Sequence, residues 1–278
     1  IATLVAEVLG PAAAAPAPVG VGVAAMLADR RGTVVNAPNL GWRDVAFGAQ
    51  LAARLGPRHP LGVYNDVNAI AYGEFGAGAG RGARDLLAVY VGTGIGAGLI
   101  VNGALAEGAS NCAGELGHVK VVTGGGAAPC GCGARGCVEA YVGGAALQAR
   151  IRRELAAGAS PAVVAAAGGA EVAHPGHVDA LADDDPWAGA LWDECGQHLA
   201  LAIGNAVTVL NPDRVVLGGG VLGRAPRLRA RLVAGLPAVA PVAVLRPLTI
   251  VDAHLGDDAG LIGAALLAQG GVSTFGAG

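Results

Sequence analysis

Three short apolar runs, Leu61–Tyr64, Leu86–Val91 and Val215–Leu217, each end on a polar or glycine-rich junction. Runs of three to six apolar residues without polar alternation, closed by turn residues, read as strands buried on both faces. Asn65-Asp66 closes the first, and Val67–Phe75 carries helical spacing directly after it. Gly92-Thr93-Gly94-Ile95-Gly96 closes the second and joins it to a further strand pattern at Ala97–Asn102, while Gly218-Gly219-Gly220 closes the third and Ala225–Leu236 resumes as a helix. Strands alternating with helices predict an α/β architecture.

The rest of the chain fits that frame. Ala17–Ala25 reads as a buried strand, Thr33–Val35 as an extended piece before a turn at Asn36–Gly41, and Asp44–Leu55 as an amphipathic helix. Helices are predicted over Val138–Ala156, over Pro186–Leu210 (the longest, closed by Asn211-Pro212) and over Ala259–Ala268, with a last strand at Leu248–Val251. No repeat of 20–50 residues is visible.

Composition narrows the function classes. With 278 residues, 53% of them hydrophobic, the chain can bury the core of one or two domains. A net charge of −3 without a basic cluster excludes the electrostatic footprint of a nucleic-acid binder. Pro11–Ala28 is uncharged and as long as a membrane span, but Pro11, Pro16 and Pro18 break any helix there and no basic segment precedes it, so a cytoplasmic protein is expected. Five cysteines, three of them within Cys130–Cys137, suit a metal site in a reducing compartment better than a disulfide framework. Lys120 is the only lysine among many arginines, a bias of the kind a GC-rich genome imposes.

The sharpest local pattern is His118 followed by Cys130-x-Cys132-x-x-x-x-Cys137, with Gly131, Gly133 and Gly136 supplying tight turns. Three thiolates and an imidazole match a tetrahedral zinc with no open position, hence a structural one. Asn65-Asp66 at a strand end fits either a helix cap or a carboxylate placed as a general base. Glu115-x-x-His118 brings a carboxylate beside the imidazole if the segment turns, and Glu139 follows the last thiol by two residues; both acids fit sugar hydroxyls or a solvated surface. The glycines at 92–96 and 218–220 fit phosphate or nucleoside contacts or plain turns, and neither is a Walker A loop.

Taken together and in order, Asn36-Ala-Pro-Asn-Leu-Gly-Trp42, Asn65-Asp66-x-Asn68, Gly92-Thr-Gly-Ile-Gly96, Gly114-Glu-x-Gly-His118, Cys130-Gly-Cys-Gly-x-x-Gly-Cys-x-Glu139 and Gly218-Gly-Gly220 closely resemble the ROK family of bacterial glucokinases, other hexose and N-acetylhexosamine kinases, and sugar-responsive repressors. The resemblance implies an actin-like ATPase (ribonuclease H-like) fold, two α/β domains around a cleft. It places the remainder of the first domain at 1–66, with the helix at about 259–270 packing back on it, and a larger domain with the zinc loop at 67–258. Asp66 would be the base that takes the proton of the attacking sugar hydroxyl, and Asn39, Asn65, Glu115, His118 and Glu139 would hold the other hydroxyls. His118, Cys130, Cys132 and Cys137 would bind structural Zn²⁺; Gly92, Thr93 and Gly94 would approach the phosphates of ATP carrying Mg²⁺, and Gly218, Gly219 and Gly220 the adenosine.

The implied reaction is ATP-dependent phosphorylation of a hexose, glucose to glucose 6-phosphate, by a homodimer or homotetramer. An N-acetylglucosamine or N-acetylmannosamine kinase, or a non-catalytic sugar-binding regulator or remnant, are the alternatives; no basic helix-turn-helix pair of a repressor is seen. Two departures stand out. The family's opening strand and Asp-x-Gly-Gly-Thr phosphate loop have no counterpart here, which implies an incomplete first domain and weak phosphoryl transfer by this chain. Met26 stands near a position where the family carries glycine, and its side chain is expected to crowd the hexose.

Overall fold

The computed structural model describes residues 1–9 and 16–270; Pro11, counted above among the helix-breaking prolines, lies outside them. In chain order the elements begin with α1 (Ala2–Leu9), β1 (Val19–Val23), β2 (Met26–Leu27), β3 (Thr33–Ala37), β4 (Trp42–Ala46), α2 (Phe47–Leu55), β5 (Leu61–Asn65) and α3 (Asp66–Ala77). There follow β6 (Leu86–Val91), β7 (Ile95–Val101), β8 (Ala104–Leu105), α4 (Glu139–Val142), α5 (Gly144–Ala156), α6 (Pro161–Ala167), α7 (Pro175–Leu181), α8 (Pro186–Leu210), β9 (Arg214–Gly218), α9 (Pro226–Gly235), α10 (Val242–Leu245), β10 (Thr249–Asp252) and α11 (Ala259–Gln269). The architecture is mixed α/β, as the alternation of runs predicts. No helix of the described residues is long and apolar enough to cross a membrane.

β1 and β5 pair in parallel, β2, β3 and β4 form an antiparallel sheet, and a five-stranded sheet runs β10-β9-β6-β7-β8. The chain divides into two compact units, the first taking in Ile1–Leu87, Gly98–Gly114 and the chain from Asp252, the second Ala88–Ala97 and Glu115–Val251.

In the first unit, Val23, Leu27, Val34, Leu61 and Val63 from the strands and Leu51 from α2 form one core cluster. α11 packs on α3 and β1. That approach requires glycine: a Cβ at Gly263 would stand 1.7 Å from the Ala69 carbonyl oxygen, so any side chain there would force the helices apart. The segment between β10 and α11 is tied down by Glu74, which is fully buried. Its Oε1 accepts from the backbone N–H of His254 (2.8 Å) and Leu255 (2.9 Å), and its Oε2 from that of Ala79 (2.8 Å). Glu74→Gln keeps the shape but points an amide NH₂ at a donor, and is expected to cost about 3 kcal/mol. An unchanged urea midpoint would refute that role.

In the second unit, α8 supplies buried Trp192, Leu199, Ile203 and Val207, and α9 supplies Leu228 and Leu232. The ends of α8 follow its sequence signals: Asp185 caps the first turn through Ala188 N–H at 2.9 Å, Pro186 occupies the first position, and Asn211 ends the helix at φ 47°. Buried Asp179 accepts from Trp192 Nε1 at 2.7 Å and from the backbone N–H of Arg227 and Leu228, capping α9 from a neighbouring helix.

Three expectations need correction. Residues 44–46 of the predicted helix Asp44–Leu55 are in strand β4, because β3 offers an antiparallel partner that fixes Val45 opposite Val34 and Trp42 opposite Ala37; cross-strand pairing overrides local helical spacing. The predicted helix Val138–Ala156 is two helices broken at Gly143, whose ψ of 133° is extended. The break turns the Gly144 and Ala145 N–H groups onto the carbonyls of Gly92 (2.8 Å) and Thr93 (2.9 Å). The strand expected at Ala17–Ala25 is shorter, Val19–Val23, and only Val23 in it is buried.

Candidate functional site

Asp66 opens α3 at the end of β5. Asn65 caps that helix, its Oδ1 accepting from Val67 N–H at 3.0 Å and Asn68 N–H at 3.1 Å, while its Nδ2 donates to the Ala25 carbonyl at 3.3 Å. The cap is thus made by Asn65, and Asp66 is the first residue of the helix. Burial pushes the Asp66 carboxyl above the ordinary value for aspartate, with hydrogen bonds from the backbone N–H groups of Val67 and Asp66 pulling the other way. A carboxylate poorly solvated when charged is a stronger proton acceptor than one in water. In the same unit, Asn39 lies exposed in the 3₁₀ turn Pro38–Leu40, and Met26 is 44% exposed and pairs across β2–β3 with Asn36.

The second unit gathers His118, Cys130, Cys132 and Cys137 so that their ligand atoms all lie within 4.8 Å of one another. Cys132 Sγ and Cys137 Sγ are 3.7 Å apart, as are His118 Nδ1 and Cys130 Sγ. A tetrahedral zinc with bonds of about 2.3 Å to sulfur has S···S edges of about 3.8 Å, so the donor set fits that ion. Gly133 and Gly136 adopt φ of 87° and 78°, and a Cβ at Gly136 would stand 1.9 Å from the Val122 carbonyl oxygen. Burial pushes the Cys130 thiol up to about 12, so a bound cation, by taking the thiolate, would expel a proton.

Glu115 precedes the 3₁₀ turn Leu116–His118, and its Oε2 lies 3.6 Å from His118 Nε2, the proximity that the three-residue spacing predicts. His118 thus turns Nδ1 to the thiols and Nε2 to Glu115. Glu139 is the first residue of α4; its Oε2 accepts from Ile95 N–H at 2.8 Å. Its Oε1 lies 3.9 Å from Cys130 Sγ. Gly94 makes room for that carboxylate, since a Cβ there would sit 2.4 Å from Glu139 Oε2.

Gly92, Thr93 and Gly220 line a pocket of about 480 Å³, together with Gly144, Gln148, His174 and Arg224. Gly94, Gly218 and Gly219 do not line it: a Cβ at Gly218 would meet the Tyr90 ring at 2.4 Å, and Gly219, at φ 91°, lies against the Val91 carbonyl. Gly218 and Gly219 let β9 and β6 lie side by side and leave the pocket wall to their neighbours. His174, whose ring lies 3.8 Å from that of His177, is held below the usual histidine value by burial. The Arg224 guanidinium has no acidic partner among the described residues and gives the pocket a cation. Sequence reading missed His174, Gln148 and Arg224; the one available signal was His174-Pro175, a helix start.

Comparison with known proteins agrees with this picture. The ROK family profile matches residues 1–270. The chain is 34% identical to the glucokinase of Halalkalibacterium halodurans over 259 residues, 90% of this chain and 76% of that protein. The crystal structure of a ROK family glucokinase from Streptomyces griseus in complex with glucose and AMPPNP superposes with a TM-score of 0.78 at 31% identity, covering 98% of this chain and 88% of that one. A ROK hexokinase from Thermus thermophilus gives 0.73 at 29% identity, over 91% and 80%.

Proposed function

The chain belongs to the ROK family, and from that premise we propose that it is an ATP-dependent hexose kinase whose preferred acceptor is the 6-hydroxyl of glucose. The observation that carries the mechanism is Asp66, a carboxylate held by burial above its ordinary pKa on the first turn of a capped helix. Asp66 accepts the proton of the sugar hydroxyl as that oxygen forms a bond to the γ-phosphorus of ATP. The bond from phosphorus to the ADP oxygen breaks, and the electron pair leaves with ADP.

Asn39, Asn65, Glu115, His118 and Glu139 are assigned to sugar hydroxyls, which need donors and acceptors in fixed directions. Asn65 spends Oδ1 on its cap and one Nδ2 hydrogen on the Ala25 carbonyl, which leaves its second Nδ2 hydrogen for a sugar oxygen. The 480 Å³ pocket is assigned to the nucleotide, with Thr93 and Arg224 toward phosphate and the His174 ring as a neutral wall. Mg²⁺ enters with ATP and neutralises charge on the transferring group. His118, Cys130, Cys132 and Cys137 would hold zinc, which supplies structural support to the segment carrying His118 and Glu139.

The test is sugar-dependent ADP release by the zinc-loaded protein with ATP and Mg²⁺ over glucose, mannose, fructose, N-acetylglucosamine and N-acetylmannosamine. The highest kcat/KM is expected with glucose. A higher value with an N-acetylhexosamine would replace the substrate assignment, and binding of a sugar without any ADP release would overturn the kinase assignment.

A further inference from the structure

Lys120 Nζ donates to Cys137 Sγ at 2.7 Å, and no carboxylate pairs with this ammonium among the described residues. Cys137 is the fully buried thiol of the cluster, while Cys132 is exposed. A dication bound by three thiolates and a neutral imidazole carries one net negative charge. Water can stabilise that charge at Cys132 but not at Cys137, where a buried anion needs a fixed partner. The two residues are also joined by an isolated antiparallel bridge, and Val138 N–H bonds the Val119 carbonyl at 3.0 Å, so the segment carrying Lys120 is registered against the segment carrying the thiol.

We infer that Lys120 is a positioning residue of the metal site: its ammonium neutralises the Cys137 thiolate and thereby sets zinc affinity and the electron density left on that sulfur. A compact point charge suits a single sulfur, whereas the planar fork of arginine is shaped for two oxygens. The inference rests on the zinc assignment above, and the experiment separates the two.

Zinc transfer to a chromogenic chelator at equilibrium is compared for wild type, Lys120→Met and Lys120→Arg, each checked for native secondary structure by circular dichroism. Wild type is expected to retain one zinc per chain. Lys120→Met is expected to hold it about 10–100-fold more weakly, the range for removing a partner of a metal ligand, with Lys120→Arg in between because it keeps the charge. In the cobalt-substituted proteins the sulfur-to-metal charge-transfer band should move to lower energy in Lys120→Met, since a thiolate relieved of its hydrogen bond gives up an electron more readily. Wild type that takes up no zinc would overturn both assignments. Wild type that binds zinc while Lys120→Met matches its affinity within twofold, with an unmoved cobalt band, would overturn the role of Lys120 alone.

Discussion

Replacing Asp66 by asparagine is expected to lower kcat about 10²–10⁴-fold while sugar affinity changes little, because the amide keeps the shape at the head of α3 and loses only the ability to accept a proton. The same substitution is expected to stabilise the fold at neutral pH. The folded protein holds Asp66 above the ordinary aspartate value, so it favours the protonated form relative to the unfolded chain. The stabilising contribution of that form is complete below the unfolded pKa of about 3.9 and is lost as pH rises through the raised folded value. At pH 7 the wild type therefore bears the cost of a poorly solvated charge that Asp66→Asn does not. The variant should melt a few degrees higher at pH 7, and the gap should close as pH falls toward about 4. Equal turnover in the two proteins would remove Asp66 from the chemistry; a lower melting temperature for the variant at pH 7 would show that its charge is stabilised, not strained.

The second large effect is expected from breaking the thiol cluster. Cys137→Ser replaces a fully buried thiol by a poorer zinc ligand and leaves a hydroxyl where Lys120 expects a sulfur anion. The loop around it has few apolar contacts of its own to fall back on, since residues 131–133 and 135 are exposed. Without the ion, His118 and Glu139 lose the anchor that aligns them, and two misaligned charged or charge-assisted hydrogen bonds correspond to sugar affinity falling on the order of 10²-fold. KM for the sugar should rise far more than KM for ATP, and chelator-stripped wild type should behave as the variant does. Sugar affinity that survives complete zinc removal would mean that the loop holds its shape unaided and that His118 and Glu139 do not depend on the metal.

Several features of the molecule are local enough to be read in one dimension. The four His and Cys donors lie within twenty residues of one another, and glycines at 133 and 136 mark turns that a side chain would strain, so the donor cluster follows from spacing and ligand chemistry. The ends of α8 are similarly written in Asp185-Pro186 and Asn211-Pro212, and the capped start of α3 in Asn65-Asp66. Each of these is decided by backbone groups within four residues of the signal.

What the tertiary structure alone decided depends on partners far away in the chain. β4 is a strand and not the start of a helix because β3 is there to pair with it. The helix after the thiols breaks at Gly143 because the carbonyls of Gly92 and Thr93, some fifty residues earlier, take its freed amides. The pocket joins Thr93, Gln148, His174 and Arg224 from four separate segments, and the burial that raises the Asp66 pKa comes from the folded surroundings of α3, not from its own sequence. Turn chemistry and metal ligation are short-range and so legible in order along the chain. Burial, cross-strand pairing and pocket geometry come into being only when loop closure has been offset by packing, and no local pattern carries that information.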